Sequence, residues 1–193
     1  MRVIGGEPGV QFVILGLLLG GPLSLYDVQK RFAAGISLFY SASSGSIQRA
    51  LQHLVADGAV DVADADDSRR GRKVHQITDE GRERWRAWML APVSGGTDAE
   101  TTALAKVYFL GRLEAGADRA HAIRGIRDHV DSSRRSLEAL ASDLDARAAV
   151  LDEETRRIFA FQRATLDYGL RSHALMREWI DEVGEQSMSG RPT

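Results

Sequence analysis

Apolar positions divide the first half of the chain into short segments, each punctuated at its ends. From Val10 to Leu19 the residues Phe12, Val13, Ile14, Leu15, Leu17 and Leu18 leave no polar face. That pattern predicts a helix packed centrally in a small domain, and Gly20-Gly21-Pro22 ends it. Ser24 is placed to cap a second helix, with Asp27 three residues on in a near capping box. Leu25, Val28 and Phe32 mark its buried stripe, Lys30 and Arg31 lie off that stripe, and Gly35 is a stop. After a connector containing Phe39 and Tyr40, Ser43 reads as the N-cap of a third helix that runs to Asp57 and is ended by Gly58. Ile47, Leu51, Leu54 and Val55 form its inner face at helical spacing; Gly45, Gln48, Arg49 and Gln52 form the outer one.

The period then changes. Val60 and Val62 alternate with acidic residues, and within Arg72 to Ile77 the residues His75 and Ile77 alternate with Gln76, which predicts a two-stranded hairpin. Thr78 caps a fourth helix that carries Trp85, Trp88 and Met89 and stops near Pro92. Periodicity lapses over Pro92 to Thr97, where Ser94-Gly95-Gly96 marks a linker. Beyond it the pattern is helical throughout. A helix over Ala99 to Leu113 presents Leu104, Val107, Tyr108 and Leu110. A longer one from Arg119 repeats Ile123, Val130, Leu137, Leu144 and Leu151 every seven residues, a coiled-coil-like seam. Its partner positions mix Ile126 and Leu140 with Ser133 and Arg147, so a packed bundle is expected rather than a free zipper. A last helix over Glu154 to Val183 lines up Phe161, Tyr168, Leu175 and Trp179.

Composition narrows the chemistry. At 193 residues the chain can bury a real core. Cysteine is absent, which removes disulfides, thiolate zinc sites and a cysteine nucleophile, and makes the cytoplasm the expected location. The apolar run Phe12 to Leu19 resembles the core of a secretory signal, but Glu7 precedes it, no A-x-A-like site follows promptly, and it falls far short of the roughly 20 apolar residues that span a bilayer. A buried helix is the better reading, and no membrane partner is expected. Net charge is −2, with 11 Lys and Arg against 10 Asp and Glu up to residue 92 and 14 against 17 beyond it. The basic character is local: Ser68-Arg69-Arg70-Gly71-Arg72-Lys73 occupies the hairpin tip, preceded by Asp64, Asp66 and Asp67.

Three helices, a hairpin and a further helix follow the order of a winged helix-turn-helix, in which the third helix enters the major groove and the hairpin tip meets flanking backbone. Residue types fit those tasks. Gln pairs bidentately with adenine and Arg with guanine, which makes Gln48, Arg49 and Gln52 candidate base readers. Ser43, Ser44 and Ser46 stand at the helix start, where amides and hydroxyls bind a phosphate oxygen. Arg69, Arg70, Arg72 and Lys73 would neutralise phosphate charge. A polar helix face or a charge run alone is usually just a solvated surface; their order along the chain is the stronger signal.

Several segments make the resemblance specific. Leu15-Gly16-Leu17-Leu18 with Gly21-Pro22-Leu23, Tyr26-Asp27, Gly45-Ser46-Ile47 through Ala50-Leu51, and Leu54 to Gly58 match, as does Arg72-Lys73-Val74-His75-Gln76-Ile77-Thr78-Asp79-Glu80-Gly81. On these the chain resembles a PadR-type transcriptional regulator of the longer subclass, and Tyr168-Gly169-Leu170-Arg171 resembles that family's C-terminal dimerisation helix. The resemblance implies double-stranded DNA as partner, a homodimer held through the C-terminal helices, usually a repressor, and a helical region that senses small, often aromatic, molecules. It adds Tyr26 to the DNA-binding candidates. Two positions depart from the family pattern: Ser24-Leu25 replaces the usual His-Gly, and Gln48 replaces the tyrosine usual after Ile47, so that tyrosine's DNA contact does not transfer.

The fold expected is mainly α, with a winged helix-turn-helix and a two-stranded β wing over residues 1–92 and an all-helical dimerisation and sensing domain over residues 93–193. His53, His75, His121, His129 and His173 form no metal-ligand spacing, and no nucleotide loop or nucleophile elbow is present. No cofactor, metal or catalytic residue is expected. Trp85, Trp88, Tyr108, Phe161, Tyr168 and Trp179 are candidate walls of an aromatic effector pocket, although such side chains at helical spacing are more often core or interface. The alternative reading is a helical adaptor whose winged domain binds a protein.

Overall fold

The computed structural model describes residues 8–64, 73–114 and 116–189. Its contacts form two units, Met1–Ala91 with Thr97–Ala115, and Pro92–Gly96 with Gly116–Thr193. In the first unit α1 spans Pro8–Leu18, two residues earlier than the apolar run suggests. Proline suits the first turn, where no intrahelical partner awaits its missing N–H. Val10, Val13, Ile14, Leu15, Leu17 and Leu18 are all buried, as an all-apolar helix at the centre requires. Helix α2, Leu25–Ala34, opens with a full capping box: Asp27 N donates to Ser24 Oγ at 3.2 Å, and Ser24 N donates back to Asp27 Oδ2 at 3.1 Å. Val28 and Phe32 are its buried residues. A 3-10 turn, Ile36–Leu38, leads to α3, Ser44–Ala56, capped by Ser43 as expected.

Gly58, at φ +72°, turns the chain out of α3 in a conformation that side chains disfavour. Strands β1, Val60–Asp64, and β2, Lys73–Ile77, then pair antiparallel from Val60 opposite Ile77 to Asp64 opposite Lys73. Leu23 adds a bridge to the outer edge of β2: Leu23 N donates to His75 O at 3.0 Å and His75 N to Leu23 O at 2.8 Å. Helix α4, Asp79–Leu90, begins at Thr78, whose Oγ1 accepts from Gly81 N at 3.1 Å and donates to Gly58 O at 2.8 Å. The helix approaches the hairpin so closely that a Cβ at Gly81 would lie 2.1 Å from the Ala59 carbonyl oxygen.

Helix α5, Ala99–Phe109, and a 3-10 turn, Leu110–Arg112, belong to this first unit, whereas the sequence reading grouped them with the second half. Ala103, Ala105, Phe109 and Leu110 are buried here, with Phe109 edge-on to Trp85 at 6.4 Å between ring centres. Helical spacing reveals that a segment has an apolar face but not which neighbour covers it. Lys106 is also buried, at 2% exposure. Its Nζ donates to the carbonyl of Ala91 at the end of α4 and lies 5.5 Å from the Trp88 ring centre, with Trp88 stacked on Phe12 at 5.0 Å. Both contacts favour a cation. Burial outweighs them and lowers the ammonium pKa to about 8.

The second unit pairs α6, Gly116–Ala148, with α7, Glu153–Ser189. Arg177 reaches Asp131 at 2.9 Å, Arg163 reaches Asp145 at 2.8 Å, and Arg127 meets Asp181. As the α6 partner advances the α7 partner recedes, so the helices run antiparallel. Ile123, Ile126 and Val130 of α6 and Ile180 of α7 are buried. The seven-residue seam is thus well buried near the start of α6, and Leu151 lies just beyond its end. No helix among the described residues is long and apolar enough to cross a membrane.

Two measurements follow from this packing. Gly81→Ala drives a methyl group into the Ala59 carbonyl and is expected to destabilise the protein by about 2 kcal/mol or more. Gly125→Ala, with nothing within 4 Å of the added carbon inside α6, stabilises it by about 0.8 kcal/mol. Urea denaturation of both variants checks the opposite signs. In the folded protein Lys106 loses its proton near pH 8, but in the unfolded chain only near 10.5. Between those values the unfolded state binds more protons, so stability attributable to this group rises with pH. Lys106→Met removes that rise; equal slopes in variant and parent would contradict the assignment.

Candidate nucleic-acid interface

The outer face of α3 is created by the burial of its inner one. Ile47, Ala50, Leu51 and Leu54 are buried on the side where α3 meets α1, α2 and β1. With 3.6 residues per turn this leaves Ser44, Gly45, Gln48, Arg49 and Gln52 facing solvent, and all five are exposed. Arg49 leans back over the preceding turn, its Nη1 lying 3.5 Å from where a Gly45 Cβ would be. Glycine at that position leaves room for the guanidinium against the helix.

At the start of α3, Ser43 Oγ accepts from Ser46 N at 3.1 Å, and Ser46 Oγ donates to Ser43 O at 2.8 Å. These hydroxyls therefore hold the helix end together, while Ser44 keeps its side chain exposed. Tyr26, in the first turn of α2, is 67% exposed. Lys73 is exposed at the first position of β2. Arg69, Arg70 and Arg72 lie outside the described residues. The structure thus brings Ser43, Ser44, Gln48, Arg49 and Gln52 onto one continuous helix surface, with Tyr26 and Lys73 on separate elements of the same unit.

The aromatic candidates are divided between the units. Trp85, 3% exposed, and Trp88, stacked on Phe12, are packed in the first unit, where Tyr108 is 49% exposed. Phe161 and Tyr168 are exposed along α7, and Trp179 is half-buried there. Among the described residues no cluster of three His, Asp or Glu side chains is placed to hold a metal ion. Sequence reasoning missed the positioning role of His75, whose backbone fixes Leu23 and whose Nδ1 lies 3.3 Å from Leu23 O. This pairing spans 52 residues and leaves no periodic trace.

Residues 14–87 match the Transcriptional regulator PadR-like family, a stretch that contains α2, α3, both strands and most of α4. The Negative transcriptional regulator PadR of Bacillus subtilis (strain 168) is 26% identical over 105 residues, which are 54% of this chain and 58% of the relative's length. The crystal structure of Bacillus subtilis PadR in complex with operator DNA covers 94% of this chain and 99% of its own, at 19% identity and a TM-score of 0.43. That of the same protein in complex with p-coumaric acid covers 95% and 98%, at 20% identity and 0.41. Scores of that size carry no contact from those structures to this chain. The similarity to the PadR-like family of transcriptional regulators thus lies in residues 14–87, the stretch that carries α2, α3 and the hairpin.

Proposed function

We propose that the chain is a cytoplasmic, sequence-specific DNA-binding repressor that acts as a homodimer on a palindromic operator and is released by a small aromatic molecule. The observation that carries this reading is the two-sided character of α3, buried on Ile47, Ala50, Leu51 and Leu54 and exposed on Ser44, Gln48, Arg49 and Gln52. Gln48, Arg49 and Gln52 have the donor and acceptor groups that read base edges, Arg49 toward guanine and the glutamines toward adenine. Ser43, Ser44, Ser46 and Tyr26 serve phosphate positioning, and Arg69, Arg70, Arg72 and Lys73 supply charge from the wing. The match of residues 14–87 to the PadR-like family and the similarity to a negative transcriptional regulator support a repressor.

Residues 1–92 carry the DNA-binding role in this reading, and the long helices within 93–193 carry dimerisation. The support for the latter lies on α7, where Ile158, Phe161, Tyr168 and Leu175 are 60%, 78%, 75% and 68% exposed along one stripe. Phe161, Tyr168 and Leu175 recur every seven residues, so the stripe matches the repeat of a second helix laid alongside. A two-fold dimer places two copies of α3 on half-sites about one DNA turn apart.

Arg49→Ala is expected to relax base preference at particular positions of the selected site, whereas Arg70→Ala weakens binding to all sequences alike and lowers the salt slope by about one unit. Binding-site selection with both variants tests the assignment, and identical specificity profiles would refute it. Tyr168→Glu places a charge in the α7 stripe and is expected to convert the dimer to a monomer in sedimentation. A parent protein that is monomeric at the same concentration would remove the dimer from the account.

A further inference from the structure

The end of α1, the outer side of α2 and the turn after α5 enclose a cleft in the first unit. Its volume is about 340 Å³, and Gly16, Arg31, Tyr108, Phe109 and Arg112 are among its walls. Volumes of about 300 to 1,000 Å³ are usual for small-molecule sites. None of the described residues that line it belongs to α3 or the hairpin, so it is built from other elements than the candidate DNA face. Two guanidinium groups meet at its rim: a Cβ at Gly20 would lie 3.0 Å from Arg112 Nη2 and 3.5 Å from Arg31 Nη1. Elsewhere Arg84, Arg127, Arg163 and Arg177 each rest on a carboxylate. Neither Arg31 nor Arg112 has such a partner among the described residues.

The charge at this point narrows the ligand class. The terminal carbonyls of α1 supply about half a unit of negative charge, which leaves roughly one and a half positive charges uncompensated on the two guanidinium groups. A monocarboxylate or a phosphodiester brings a single negative charge and neutralises at most one arginine. A phosphate monoester brings about −1.5 to −2 at neutral pH on three terminal oxygens, enough for both planar donor forks.

An aromatic platform stands beside the cations. Tyr108 lies edge to face with Phe109 at 4.9 Å and continues to Phe39 at 5.8 Å. A Cβ at Gly35 would be 3.4 Å from the Tyr108 hydroxyl oxygen. These neighbours hold the ring in place, yet half of Tyr108 remains exposed. A fixed, accessible ring next to an anion site suits the stacking of a nucleobase.

We propose that this cleft binds a nucleoside monophosphate, its phosphate held between Arg31 and Arg112 and its base stacked on Tyr108. The binding does not rest on the DNA-binding reading above, and the ligand is of a different class from the aromatic effector in that reading.

Calorimetry on the full chain without DNA tests it with adenosine monophosphate. Adenosine lacks the phosphate, ribose phosphate lacks the base, and cyclic adenosine monophosphate has both but carries a single negative charge. Adenosine and the cyclic ester are expected to bind at least about tenfold more weakly than adenosine monophosphate, and ribose phosphate about fivefold or more. Arg31→Gln and Arg112→Gln each weaken adenosine monophosphate about tenfold or more, whereas Tyr108→Leu lowers it to the affinity of ribose phosphate and leaves ribose phosphate unchanged. Both arginines are exposed, so their variants keep the parent's circular dichroism and unfolding midpoint; the comparison of ligands on the parent is independent of how any variant folds. No binding of adenosine monophosphate, a cyclic ester that binds as tightly, or binding that survives the double Gln variant would each overturn the proposal. In a gel shift without nucleotide the double variant is expected to bind DNA as the parent does; loss of that shift would place the two arginines on DNA phosphate and overturn the cleft as a nucleotide site. A parent that shifts no DNA removes the DNA reading and leaves the calorimetric result standing.

Discussion

The burial of one face of α3 against α1 is the constraint on which the first unit depends. Helix α1 has no polar side to offer solvent, so it has to be covered all round, and α3 contributes Ile47, Ala50, Leu51 and Leu54 to that cover. A 3.6-residue period then fixes where Gln48, Arg49 and Gln52 must go. Their outward direction is a consequence of core packing, which means that a substitution such as Leu51→Asp would disturb the polar face without touching it. The cap at Ser43 and the left-handed turn at Gly58 delimit the rigid surface so produced.

Two long-range ties set the neighbouring elements around α3. The bridge from Leu23 to His75 joins the start of α2 to β2, and Thr78 ties the start of α4 to Gly58 just after α3. The close approach at Gly81 lets α4 seat on the hairpin. Each tie joins backbone to backbone or uses a small side chain, so the geometry of the unit is determined largely by groups that carry no chemistry of their own.

What could be read from the sequence follows the range of the interaction. Caps at Ser24, Ser43 and Thr78 and the stop at Gly58 act within a few residues and were legible there, as were the order of elements and the two faces of α3. The Leu23 bridge, the burial of Lys106 and the covering of α1 by α5 depend on partners far along the chain, and a lysine on a helix ordinarily reads as solvated. Periodicity exposed the apolar face of α5 without naming its partner. On the α6 and α7 hairpin, the heptads were legible, but the division of α7 into a face against α6, with Leu166 and Ile180, and a stripe through Phe161, Tyr168 and Leu175 required the antiparallel pairing. The ion pairs that mark this pairing are partly exposed and contribute little stability, whereas Ile123, Ile126, Val130 and Ile180 on these helices are buried.

We propose that the solvent face of α3 reads DNA sequence. It is tested most directly by titrating the full chain with DNA from upstream of its own gene and with random DNA of equal length over a salt series. Both affinities are expected to fall with salt, as phosphate contacts require, and the ratio between them to stay well above one as salt rises. Binding to the upstream DNA no tighter than to random DNA at every salt concentration would contradict it.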